Sequence, residues 1–304
     1  MLACASVQEC PPRLCEASAR MRHAILGAGG IGGLLAGALA RSGADVLLLL
    51  RPEALARYTG RLAVESAVLG DFEVDVPGVP LLDRPVDLVW VTTKATQLEA
   101  ALTLAPADQV GEAVVIPLLN GVDHVELLRS RYRDVVAGAV RVESERLSPT
   151  LIRQSSPFLR VELAGAQAAQ AELRRAGIEC RARDDELSLL WDKLAFLAPI
   201  ALATSALDAP LGVAREDPRF VGCREEALAV AGADGAQVDG DALRKVQENA
   251  PASMRSSMQK DLAAGREPEL DAIAGPILRG GQQHCLATES TQQLADQVRA
   301  RSRA

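Results

Sequence analysis

Gly27-Ala28-Gly29-Gly30-Ile31-Gly32-Gly33 is the stretch on which the fold turns. It carries the spacing G-x-G-x-x-G, follows the short apolar run Ala24-Ile25-Leu26, and opens the helix-like stretch Leu34-Leu35-Ala36-Gly37-Ala38-Leu39-Ala40. Glycines at this spacing allow a tight turn and close backbone approach, so that a pyrophosphate can rest on the N-terminus of the following helix. The spacing alone also occurs in unrelated turns. The strand before it and the helix after it make it a dinucleotide fingerprint. The backbone of Gly27, Gly29, Gly30, Ile31 and Gly32 is the expected pyrophosphate seat. The next apolar run, Val46-Leu47-Leu48-Leu49-Leu50, ends on Arg51. An NAD site usually places Asp or Glu there to hold the ribose hydroxyls, whereas arginine suits a 2′-phosphate. The expected cofactor is therefore NADPH.

Around this motif the first half of the chain alternates short apolar runs with helical patterns. Strand candidates lie at 22–26, 45–50, 86–91, 113–118 and 135–140, and helical patterns at 31–42, 52–58, 96–105 and 123–131. Such alternation predicts a parallel sheet with helices on both faces. Extended stretches at 150–154 and 158–163 are assigned to the edge of that sheet, before a helix at 166–176 and a strand at 178–181. From Asp184 onward the strand signals stop. Helices are expected near 184–206, 217–235, 241–248, 253–264, 269–284 and 289–301, punctuated by Pro210, Gly212, Gly240, Pro251 and Pro268. The predicted fold is α/β, with an N-terminal Rossmann-type dinucleotide-binding domain over 21–183 and an all-helical C-terminal domain over 184–304. Ligands of open α/β sheets lie outside the carboxyl ends of the strands, so helices packed over that edge would close a cleft above the nicotinamide.

The chain has 304 residues, which suggests about two domains. Its hydrophobic content of 48% is ordinary for a globular core, and aromatic residues are scarce at 3%. A net charge of −7 excludes a general nucleic-acid binder, which needs a basic face. The apolar stretches read as too interrupted and too short to span a bilayer. Residues 1–20, with Cys4, Cys10 and Cys15, lack an h-region and a zinc-ligand spacing, and read as a disordered extension or an upstream start, with the folded protein expected from near Met21. Scattered Cys180, Cys223 and Cys285 fit reduced thiols in the cytoplasm. No metal site, nucleic acid or membrane is expected, and a homodimer is left open.

Polar groups that follow strands are the first site candidates, because strand ends face the ligand in this fold. They are Lys94 and Gln97 within Thr92-Thr93-Lys94-Ala95-Thr96-Gln97, and Asn120 in Leu119-Asn120-Gly121. A solvated loop lysine and a simple Asn-Gly turn are the ordinary alternatives. In the helical half, Lys193 of Trp191-Asp192-Lys193-Leu194 shares a helical face with Leu189, Leu190, Leu194 and Leu197. It either snorkels to the surface or sits in a pocket, where desolvation would make it a better acid near neutral pH. Ser257 and Glu269 could hold a carboxylate and orient a substrate group; a helix-face serine and a first-turn acid are the plain alternatives.

Taken together, these segments resemble the ketopantoate reductase (2-dehydropantoate 2-reductase) family, from about Met21 to the C-terminal helices. The resemblance implies NADPH-dependent reduction of a small 2-oxo acid, with ketopantoate to pantoate, a step of pantothenate biosynthesis, as the leading substrate pair. It implies Lys193 as the general acid and Glu269 as the residue orienting substrate and lysine. It further implies Asn120, Ser257 and Thr204 as substrate contacts, with Asn120 also touching the nicotinamide and Lys94 near cofactor and substrate. The family usually has Asn four and eight residues after the lysine, where this chain has Leu197 and Ala201. Helical spacing places both on the lysine's face, so a paralogue acting on a less polar 2-oxo acid is the alternative. A non-catalytic NADP-binding sensor is a second alternative, which would need neither Lys193 nor Glu269.

Overall fold

The structure is a computed structural model that describes residues 20–303; the extension expected at 1–20 lies almost wholly outside them. The first half is built on a five-stranded parallel sheet of β1 (Arg22–Leu26), β2 (Asp45–Leu49), β5 (Gly78–Val79), β6 (Leu88–Val91) and β7 (Val114–Pro117), in the order β5-β2-β1-β6-β7. Helix α1 (Gly30–Arg41) joins β1 to β2 on one side, and β6 returns on the other side of β1. That reversal creates the crevice in which open α/β sheets bind ligands. The register sets Leu26 level with Leu49 and Val91, so Gly27, Leu50 and Thr92 emerge together at the carboxyl edge. All four residues of β6 are buried, as a central parallel strand covered on both faces requires.

The single-sheet expectation needs correction. The stretch at 150–154 forms β10 (Leu151–Gln154), which pairs with β3 (Arg61–Ser66) and β9 (Ser144–Arg146). With β4 (Phe72–Asp75) they make a separate four-stranded sheet, order β4-β3-β10-β9. The stretch at 158–163 forms β11 (Arg160–Leu163), flanked by β12 (Glu179–Ala182) and an antiparallel β8 (Gly138–Arg141). The run at 135–140 is therefore not a sixth member of the parallel ladder; Val135 forms an isolated bridge to Val115 there, while Gly138 onward pairs in the three-stranded sheet.

Helix α1 explains why the motif holds more glycine than a nucleotide needs. Cβ atoms built at Gly30, Gly33 and Gly37 would fall 2.2 Å from Ser144 O, 2.4 Å from Ile152 Cδ1 and 2.9 Å from Val64 Cγ2. These three positions form the face on which the helix rides against the four-stranded sheet.

The first half also carries α2 (Pro52–Leu55), α3 (Leu98–Leu102), α4 (Ala107–Val110), α5 (His124–Arg129) and α6 (Gln167–Arg175). The second half is helical from α7 (Glu186–Leu207) through α8 (Leu211–Ala214), α9 (Pro218–Ala233), α10 (Gly240–Asn249), α11 (Ser257–Ala263), α12 (Leu270–His284) and α13 (Glu289–Arg301). Asp185 caps α7 by accepting from Leu187 N and Ser188 N. Contrary to the sequence expectation, α7 is long and apolar enough to cross a membrane, but most of it is buried within the fold, as befits a core helix. It packs against α9, α12 and α13.

Candidate active site

A cleft of about 1070 Å³ runs along the carboxyl edge of the parallel sheet and under the helical half. The cleft is slightly larger than ordinary ligand pockets, which range over roughly 300–1,000 Å³. Gly27 enters it at φ +104°, a left-handed conformation that favours glycine, and a Cβ there would meet Thr93 N at 2.7 Å. A Cβ on Gly32 would strike the Gly27 carbonyl oxygen at 2.0 Å, so the turn closes only because residue 32 is bare. Gly29, Gly30 and Ile31 line the cleft at the start of α1, where no side chain caps the helix. First-turn N–H groups lack intrahelical partners, and here they can meet an anion. Arg51 is exposed at the end of β2 and lines the same cleft. The turn, the bare helix start and a strand-end arginine fit a phosphorylated dinucleotide.

Lys193 lies at the other end of this cleft, on α7. It does not snorkel: the residue is only 8% exposed, and Nζ donates to Leu119 O at 2.8 Å. Burial pulls its pKa down from 10.5 to about 8; the Glu269 carboxylate opposes that shift and the Arg141 guanidinium adds to it. Glu269 is itself buried and accepts from Ala95 N at 2.8 Å and Asn120 Nδ2 at 3.2 Å. One carboxylate at the start of α12 thus organises both loops that follow β6 and β7. His124, beside this group on α5 (His124–Arg129), is buried without a hydrogen-bond partner on either nitrogen, and burial lowers its pKa to about 3.

Lys94 lines the cleft and pairs across it with buried Asp261 of α11 at 2.6 Å; Arg266 holds the other Asp261 oxygen at 2.8 Å. Gln97, Asn120 and Ser257 also line the cleft. Thr204 does not. It is fully buried, its hydroxyl donates to Ile200 O and lies 2.8 Å from Ser256 Oγ, and it serves as a support for Ser256, the N-cap of α11. Ala201 is likewise packed in the core away from the cleft, whereas Leu197 lines it together with Phe196 and Ile200.

Sequence reasoning gave a role to neither Asp261 nor the pair Arg141–Asp192. Arg141 Nη2 meets Asp192 Oδ2 at 2.6 Å, tying the end of β8 to the residue before Lys193. An Asp five residues beyond Ser256 on an otherwise helical pattern gave a weak signal for the first; nothing local marks the second, whose partners lie 51 residues apart.

Two profiles of one family match the chain: "Ketopantoate reductase PanE/ApbA" over residues 23–164 and "Ketopantoate reductase PanE/ApbA C terminal" over 186–302. The chain is 30% identical to the 2-dehydropantoate 2-reductase of Caulobacter vibrioides over 287 residues, covering 87% of this chain and 93% of that protein. Among solved structures it resembles a PanE/ApbA family ketopantoate reductase from Ralstonia eutropha JMP134. That match has a TM-score of 0.83 and 28% identity, covering 93% of this chain and 99% of the other. A D-mandelate dehydrogenase bound to NADH and anilino(oxo)acetate shares the fold at a TM-score of 0.82 and 23% identity, with 93% and 99% covered.

Proposed function

The chain belongs to the ketopantoate reductase family and is an oxidoreductase of it, and from that premise we propose that it uses NADPH to reduce a small 2-oxo acid, with ketopantoate as the leading substrate. The observation that carries this reading is the buried ammonium of Lys193 on the cleft wall, its pKa brought to about 8. An ammonium has three donors. The Leu119 carbonyl takes one, which fixes Nζ and leaves the others for a substrate oxygen. A reduced nicotinamide, when bound, supplies the hydride for the carbonyl carbon. Lys193 delivers the proton to the carbonyl oxygen, so the 2-oxo acid leaves as the 2-hydroxy acid and the cofactor as NADP⁺. Glu269 holds Asn120 and the Ala95 loop in place and keeps Lys193 charged. Gly27, Gly29, Gly30, Ile31, Gly32 and Arg51 hold the nucleotide; Ser257 and Asn120 hold the substrate. The test is NADPH consumption with a panel of 2-oxo acids beside NADPH binding alone. Turnover supports the reductase; tight binding without turnover of any 2-oxo acid replaces it with a sensor.

Leu197 favours a second reading, in which the substrate tail is less polar than ketopantoate. Phe196, Leu197, Ile200, Val246 and Met254 give the lysine end of the cleft an apolar wall. A substrate hydroxyl buried there without a partner would lose about 1–3 kcal/mol. Comparison of kcat/KM for ketopantoate and for its analogue lacking the terminal hydroxyl decides between the two. A hundredfold preference for ketopantoate removes the second reading; a preference for the analogue that Leu197→Asn reverses supports it.

A further inference from the structure

A hollow of about 240 Å³ adjoins the nucleotide end of the cleft, between the end of β2, helix α2 (Pro52–Leu55) and the β9–β10 hairpin. Three arginines line it, Arg51, Arg57 and Arg146, with Glu53 as the one acidic residue. All three arginines are exposed, and none is ion-paired among the described residues. Arg153 next to them on the cleft wall is held by Glu65 at 2.7 Å. Like charges converging on one hollow repel one another, and an anion placed among them relieves that repulsion. The hollow shares Ala28, Leu50, Arg51, Ala54 and Arg146 with the main cleft, so whatever fills it is continuous with a ligand seated on the glycine turn.

We propose that Arg57 and Arg146 complete, with Arg51, a three-arginine cradle for the 2′-phosphate of the adenosine ribose. The inference rests on the NADPH reading and assigns two residues to it that strand-end logic does not reach. Arg146 arrives from a different sheet. It is brought to the nucleotide because residue 30 is glycine, which lets the backbone of Ser144 abut the first turn of α1. Three cations against one carboxylate leave the hollow with a net positive charge, and each arginine can present two parallel donors to phosphate oxygens. Glu53 opposes the phosphate and sets an upper limit on its affinity.

The test is equilibrium binding of adenosine 2′,5′-bisphosphate and of 5′-AMP to the full chain by calorimetry, since the two ligands differ only in the 2′-phosphate. The wild type is expected to bind the bisphosphate at least about tenfold more tightly. Arg57→Ala and Arg146→Ala should each weaken the bisphosphate by about five- to thirtyfold and 5′-AMP by less than about twofold. Glu53→Gln should tighten the bisphosphate alone. Unchanged bisphosphate binding in both arginine variants, or equal weakening of both ligands, overturns the cradle. A wild type that binds 5′-AMP and NADH but gains nothing from the 2′-phosphate overturns the cradle and the NADPH preference, and leaves a reductase that uses NADH. A wild type that binds no adenosine nucleotide overturns the nucleotide reading itself, and the cradle with it.

Discussion

Lys193 Nζ lies 2.8 Å from the backbone oxygen of Leu119, so the central helix of the second half is bonded to the strand-end loop of the first. The bond falls one residue before Asn120 and holds the ammonium at the cleft wall while most of the side chain is out of water. In the proposed reaction the proton comes from the charged lysine, whose pKa burial lowers to about 8. kcat/KM for reduction should therefore be level below about pH 8 and fall close to tenfold per pH unit above it, while the reverse oxidation gains as the amine becomes free. Lys193→Ala should lower kcat by about 10²–10⁴ and leave NADPH affinity nearly unchanged. Retention of most activity would show that the lysine is structural.

Glu269 acts on that lysine through its charge, which raises the lysine pKa against the burial that lowers it. Glu269→Gln keeps an acceptor for Ala95 N and removes the charge. The expected result is a higher KM, a lower kcat and an alkaline limb displaced to lower pH. An unmoved alkaline limb would mean that the carboxylate serves only to hold its two loops.

Thr204 supports Ser256 and is not among the residues that line the cleft. Thr204→Val keeps the shape and removes the 2.8 Å contact to Ser256 Oγ, which in turn accepts from Gln259 N at 3.1 Å. Loss of this buried link to a helix cap should lower stability by about 1–2 kcal/mol in denaturant unfolding, with KM changed by less than about threefold. A tenfold rise in KM with unchanged stability would return Thr204 to the substrate.

Acid should unfold this protein through two neutral histidines. Burial lowers His23 to about 4 and His124 to about 3, against 6.5 in the unfolded chain. The unfolded state then binds protons first, so the stabilisation is whole above pH 6.5 and is lost as the pH falls through the unfolded value toward the folded ones. By pH 5 each histidine should withdraw about 2 kcal/mol. Melting curves at pH 7.5, 6 and 5 check this, and His124→Leu should lose less on acidification than the wild type. Parallel loss in both proteins would assign the acid effect elsewhere.

The parts of the site legible in the sequence are those whose geometry is local. The glycine turn, the strand-end positions of Lys94, Gln97 and Asn120, and the helical face of Lys193 all follow from short-range periodicity, and all line the cleft. Ala201 was misplaced for a reason the same periodicity supplies. Eight residues at about 100° each overshoot two turns by roughly 80°, whereas seven fall short by only about 20°, and Ile200 is the one that lines the cleft. Thr204 shares the lysine's face but lies about 16 Å farther along the axis, under α11. The four-stranded sheet escaped because β3 pairs with β10 across some 88 residues, in segments of six and four. Arg146 and the ions Arg141–Asp192 and Lys94–Asp261 are likewise products of tertiary proximity.

Helix α7 belongs to both halves at once. Leu190 packs in the core beneath the parallel sheet with Val91 and Leu119, Lys193 faces the cleft, and Leu194 onward builds the helical core. Two polypeptide fragments divided at residue 183 would each be damaged by the cut. The first would keep an oily slot with no leucine to plug it, and the second would hold a stranded lysine with no carbonyl to receive it. A nick in that linker, with the pieces still together, should instead go unnoticed.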